Sequence, residues 1–88
     1  MKRKFVVVTT IHRGVFAGEL VEESKDFAIL TNARCAIKWA TKGGFFELAQ
    51  KGPNTDSQIG DMVDEVKLYD ITSVIKCTEE AEKAWKSA

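Results

Sequence analysis

The sequence predicts a small, β-dominated α+β domain: a curved antiparallel sheet, or a small barrel, of about five strands, with a short middle helix and a C-terminal helix. Three observations carry that expectation. Runs dense in β-branched residues occur at Phe5 to Thr10 and Ile71 to Ile75, with a wholly apolar run at Phe27 to Leu30, and β-branched side chains fit a pleated surface better than a helical turn. Turn chemistry separates the first runs, with Gly14 after one and Ser24, Lys25 and Asp26 before the next. At the far end, Thr78 precedes Glu79, Glu80 and Glu82, with Lys83 and Lys86 behind them, the charge order that suits a capped helix. With 88 residues the chain forms one domain, residues 1–88, able to bury roughly 60–65% of its unfolded surface.

The first strand is expected over Lys4 to Thr10. Val15 to Glu23 follows as a second strand in which Phe16 and Leu20 share a face with Gly18 between them. Phe27 to Leu30 is apolar on alternate and interleaved positions alike, so it reads as a central strand paired in a hairpin with the second. Asn32 to Ala40 fits either a strand or a helical turn, and strand is favoured. Thr41 to Gly44 is a loop. Phe45 to Lys51 places Phe45, Phe46, Leu48 and Ala49 at helical spacing, and Gly52 followed by Pro53 stops the helix. Gly52 to Asp61 is polar and turn-rich, with at most a short extended piece around Ile59. Val66 and Leu68, then Ile71, Val74 and Ile75, supply the last strands, turned near Tyr69 and Asp70. In the final helix Ala81, Ala84 and Trp85 share a face. A helix so short is marginal alone, so Trp85 should anchor it on the sheet or on a second subunit.

Composition excludes more than it assigns. Thirteen Lys and Arg balance 13 Asp and Glu, which removes the global basic field of a non-specific nucleic-acid binder. The apolar run behind Lys2, Arg3 and Lys4 imitates the start of a signal peptide but ends at Thr9 and Thr10, and no window has the roughly 18 apolar residues of a membrane span. Cys35 and Cys77 lack CxxC or Cys/His ligand spacing and read as reduced thiols. A cytoplasmic protein follows, without cofactor or metal and with no membrane partner.

Five residues form the candidate ligand site. His12, the only histidine, stands with Arg13 beside Gly14, where it could line a cleft; the competing reading is an exposed strand-end histidine. Arg34, Lys38 and Trp39 are the second group. Cations beside an indole hold phosphate and base by charge-assisted hydrogen bonds and stacking, whereas the structural alternative buries Trp39 and solvates both cations. Gly43-Gly44 lacks the lysine and spacing of a P-loop. Asp61, Asp64 and Glu65 do not have calcium-loop spacing and read as a solvated acidic rim. No GxSxG elbow or placed base beside a thiol argues for catalysis.

Two resemblances add to these readings. Gly14-Val15-Phe16-Ala17-Gly18-Glu19-Leu20-Val21, Leu30-Thr31-Asn32-Ala33-Arg34 with Ile37 and Trp39, Glu47-Leu48-Ala49 with Gly52-Pro53, and Ile71 to Ile75 leading into Cys77 to Ala81 resemble a family of small proteins of unknown function encoded by bacteriophages and prophages. Gly18, Leu20, Asp26 and the run Phe27 to Ala33 are similar to the Sm-like, SH3-like small β-barrel, in which a glycine lets a curved strand bend. Phe27 and Ala28 stand where that fold carries its RNA-binding asparagine, and no Arg-Gly pair occurs from Leu68 to Cys77. The first resemblance implies a phage setting. The expected function is a non-enzymatic binding module, in its most concrete form a counter-defence protein that sequesters a phosphate-bearing nucleotide through Arg34, Lys38, Trp39, His12 and Arg13. The alternatives are a protein-interaction module that inhibits or redirects a host protein through the apolar and acidic stretch Ile59 to Glu65, and an Sm-like single-stranded nucleic-acid binder. A homo-oligomer is expected, because Trp85, Phe45 or an open sheet edge would gain from burial against a second copy.

Overall fold

The computed structural model describes residues 4–11, 14–38, 45–53 and 57–88, with backbone only for Lys38 and Phe45. The elements in order are β1 (Phe5–Thr10), β2 (Val15–Glu23), β3 (Phe27–Lys38), α1 (Phe45–Gln50), β4 (Gln58–Ile59), β5 (Val63–Tyr69), β6 (Ile71–Lys76) and α2 (Glu79–Ser87). The β-dominated α+β class is as expected, with six strands among the described residues. The stretch read as a separate strand from Asn32 continues the third, giving β3 its 12 residues.

All pairings are antiparallel, in the order β4-β3-β2-β1-β6, with β5 on the same edge of β3 as β4. β5 and β6 are consecutive in the chain yet pair with different strands, β3 and β1. The chain turns between them at Asp70, which adopts φ 55 and whose carbonyl accepts a hydrogen bond from the Ile11 N–H at 3.0 Å. The two ends of the sheet are thus joined by one residue, which curls it.

Curvature has a visible cause in the β2–β3 ladder. Ala17 pairs with Arg34 and Glu19 with Thr31, so Gly18 faces both Asn32 and Ala33. Asn32 takes φ 49, a left-handed conformation that asparagine tolerates better than most residues, and its amide donates to the Glu19 carboxylate at 2.7 Å. A Cβ on Gly18 would stand 3.0 Å from both Ala33 Cα and Thr31 O; only glycine permits this close approach without displacing backbone. A second bulge leaves Val21 between the Leu20–Leu30 and Glu22–Ile29 pairs. Each bulge adds bend and twist.

The curled sheet has a core on each side. Inside lie Val6, Val8, Ala28, Leu30, Ala33 and Leu68, with Phe16 and Leu20 packed against them; the shared face of Phe16 and Leu20 is as the alternation predicts. Outside, Phe5, Val7, Val15, Ala17 and Ala36 meet Leu48, Ala49, Ala81 and Trp85 of the two helices. β1 is therefore buried on both faces, which explains its unbroken apolar run.

The helical layer is tied together at three points. Trp85 is fully buried within this chain, and its indole N–H donates to Leu48 O at 3.0 Å. Removing a buried tryptophan typically costs about 3–5 kcal/mol, a large part of the 5–15 kcal/mol that holds most domains. Thr78 caps α2 by accepting from the Ala81 N–H at 3.1 Å, while its hydroxyl donates to Gln50 O and its N–H to Ala49 O; one residue starts α2 and ends α1. Gly52, at φ 85, is buried against Ala81 and Ala84.

Gly52→Ala would place its Cβ 2.4 Å from Ala84 Cβ and adds the left-handed backbone cost of about 1–2 kcal/mol. We expect a loss of at least about 2 kcal/mol, a fall in Tm of roughly 8–16 °C by thermal circular dichroism. An unchanged Tm would mean that the helices are not docked through Gly52.

Candidate functional site

Arg34 leaves the outer side of β3, and the bulge at Asn32 decides this. Before the bulge the even-numbered residues Ala28 and Leu30 face the inner core, while after it Ala33 does so and Ala36 joins the helical side. The Arg34 guanidinium then reaches the end of α2. Nε donates to Gly60 O at 2.8 Å, and one terminal nitrogen donates to Trp85 O at 3.0 Å and to the Ala88 main-chain oxygen. A cation here satisfies carbonyls that the last helical turn leaves open and opposes the negative end of its dipole. Gly60 is held a second time by its N–H, which donates to Cys35 O at 2.8 Å. Arg34 thus fastens β3, the β4–β5 connection and α2 to one another.

The other expected ligand residues are not gathered around it in the described structure. His12, Arg13 and Trp39 lie outside the described residues, as does Gly43-Gly44; the Lys38 backbone pairs opposite Gln58. The middle helix and the extended piece at Ile59 occur where the sequence places them.

Next to Arg34 the inner face of the sheet opens to the surface. Phe16, Ala33, Cys35, Val63 and Val66 line a hollow of about 180 Å³, and the charged Arg34 and Asp61 are part of the same wall. Ligand pockets for organic molecules usually run to about 300–1,000 Å³, so this one suits a single large side chain. At the rim Val63, 48% exposed, opens it to the surface, and Met62, its neighbour in the chain, is 47% exposed. The Ile37 side chain lies over Gly60, its Cδ1 3.5 Å from where a Cβ would stand. Alternation along β5 from the inward Leu68 and Val66 would select Asp64 rather than Val63, so Val63 was not legible in the sequence. Asp61, Asp64 and Glu65 are exposed around this rim, as the sequence indicates.

A larger, shallow groove of about 540 Å³ passes over Lys4, Phe5, Lys76, Cys77 and Glu82. Its charges are mixed, and Glu82 is paired with Lys86 at 2.7 Å, so it offers no field of one sign for an anion. Burial pushes the Cys77 thiol up to about 12, with the Glu82 charge adding to the effect, and burial also raises Cys35. Both cysteines are free, and protonated thiols are poor nucleophiles. Among the described residues no group of three or more His, Cys, Asp or Glu could hold a metal ion, and no helix is long and apolar enough to cross a membrane.

Arg34→Ala leaves the Gly60 and Trp85 carbonyls without a charged donor; hydrogen bonds of this kind contribute about 1.5–3 kcal/mol. Urea unfolding should give a midpoint lowered by about 2 kcal/mol in stability, and Arg34→Lys should recover part of it. Wild-type stability in Arg34→Ala would free the guanidinium for a ligand role. Cys77 generates a pH effect. Between its ordinary value of 9.0 and about 12 the folded chain keeps a proton that the unfolded chain releases, so stability falls as pH rises through that window. The urea midpoint of wild type should therefore decline more steeply with alkaline pH than that of Cys77→Ala; parallel declines would show a normally titrating thiol.

No curated protein and no solved structure matches the chain. A family model does match, over residues 3–85, and with it the chain belongs to the family described as domain of unknown function DUF6948.

Proposed function

We propose that this protein is a non-enzymatic binding module that holds a protein partner at the hollow between β2, β3 and β5. The observation that carries this reading is a largely apolar hollow in whose wall Val63 is 48% exposed, with the exposed Met62 next to it in the chain. Contiguous exposed apolar surface marks interaction sites, and binding energy concentrates where one anchoring side chain fills a desolvated pocket. Half-buried thiols held protonated are poor nucleophiles, which supports binding over turnover. The partner in a phage setting would be a host protein whose activity is blocked or redirected.

Nucleotide sequestration, the first expectation from the sequence, draws less support. Its central cation, Arg34, spends donors on Gly60, Trp85 and Ala88, and the neighbouring hollow is smaller than a nucleotide site. That reading rests on His12, Arg13, Lys38 and Trp39, whose side chains lie outside the described residues.

The test pairs affinity capture with native mass spectrometry. Tagged wild type, incubated with lysate from the cells that express it, should retain a protein that the exposed double variant Met62→Asp/Val63→Asp loses, while circular dichroism shows both folded. Native spectra of wild type should show no added small molecule. A mass gain of a few hundred daltons with no captured protein would reverse the assignment in favour of the nucleotide.

A further inference from the structure

We propose that β5 presents its free edge to an extended, cationic segment of the partner, which adds to the sheet as a further strand. This inference rests on the protein-binding reading and names the mode of binding and the chemistry of the partner.

Among the described residues, β5 pairs only with β3, along Phe27–Tyr69, Ala28–Leu68, Ile29–Lys67, Leu30–Val66 and Thr31–Glu65. Its second edge is an unpaired row of N–H and C=O groups over a seven-residue strand, and five of those residues are exposed. Such an edge is a template for another strand, and proteins blunt it by several devices, among them charged side chains, especially lysine. β5 has one lysine, Lys67, and its ammonium lies 4.4 Å from the Phe27 ring centroid on β3 and 5.5 Å from that of Tyr69. The guarding charge is drawn back over the neighbouring strand. Another end strand, β6, is less exposed: four of its six residues are half-buried.

Charge names the occupant. Residues 19–33 and 61–70 hold eight of the 13 acidic residues and two of the 13 basic ones, so a neutral chain is strongly polarised. Asp61, Asp64, Glu65 and Asp70 lie along or beside β5, all exposed. In an added strand, side chains alternate between faces. One set would lie beside Glu65, Lys67 and Tyr69 on the outer face, where, with the Lys67 ammonium drawn over Phe27, the Glu65 carboxylate favours lysine or arginine. The other would lie beside Val66 and the hollow, where an apolar residue is favoured. Main-chain pairing would supply affinity and this alternation would supply selectivity.

The probe is a fluorescein-labelled peptide alternating valine and lysine, followed by anisotropy and by amide hydrogen exchange of the protein. We expect binding that weakens at least about tenfold when lysine is replaced by glutamate or when alternate peptide nitrogens are methylated. The same loss is expected with Asp64→Lys/Glu65→Lys but not with Glu79→Lys/Glu80→Lys on α2. Exchange should slow within Val63–Tyr69. Equal binding of the methylated peptide overturns strand addition, and equal binding of the glutamate peptide overturns the cationic assignment. Protection of β5 by a homodimer in the absence of peptide gives the edge to a second copy and also overturns the proposal. Complete absence of peptide binding does so too, while the capture experiment on Met62→Asp/Val63→Asp separately decides whether the hollow binds protein at all.

Discussion

The structure depends on burying both faces of β1. Phe5 and Val7 look to the helices and Val6 and Val8 to the inside of the curled sheet, so one strand joins two cores that would each be too small alone. A domain of this length has little apolar surface to spare. Sharing a strand between two cores lets both be dry while the chain remains short. It also dictates the topology: a strand buried on both faces needs neighbours on both edges, and β2 and β6 fill those places.

From β1 outward, the next constraint is curvature. The sheet has to bend around the inner core tightly enough for Asp70 to carry the chain from β5 to β6. Gly18 and Asn32 allow this together: the first by having no side chain where backbone approaches at 3.0 Å, the second by accepting a left-handed conformation. The bulge also exchanges the faces of β3 beyond it. Arg34 consequently turns toward the helices, where it closes the end of α2, and the inner face runs out into the hollow that Arg34 shares with Val63 and Val66. The same local irregularity builds the fold and exposes the candidate site.

The helices cover the β1 side of the sheet and leave β5 open. That asymmetry coincides with the charge distribution. The uncovered strand carries carboxylates at and near the surface, and the cations lie predominantly elsewhere in the chain. A surface with aromatic, apolar and acidic groups beside an unpaired edge is suited to recognising polypeptide rather than phosphate, because phosphate would meet repulsion there. The DUF6948 family is one of unknown function, so the functional argument rests on the surface itself.

By itself the sequence determined the class and most elements. β-branched runs at Phe5 to Thr10 and Ile71 to Ile75, the Gly52-Pro53 stop and the Thr78 cap are local signals, and local chemistry decides them. The alternation placing Phe16 and Leu20 on one inner face was legible for the same reason, as was the acidic rim at Asp61 to Glu65. What the sequence left open was the direction of each side chain beyond a bulge. A single residue such as Asn32 reverses alternation, and neither periodicity nor propensity reports it, so Arg34 reads equally as a ligand cation and as a fastening for α2. The place of Trp85 was open for a different reason: whether an amphipathic helix docks on its own sheet or on a second subunit depends on contacts remote in sequence. Only the tertiary structure put its indole against Leu48, drew Lys67 over Phe27 and opened the hollow between Phe16, Ala33 and Val63, because each is a meeting of elements that the chain order does not disclose.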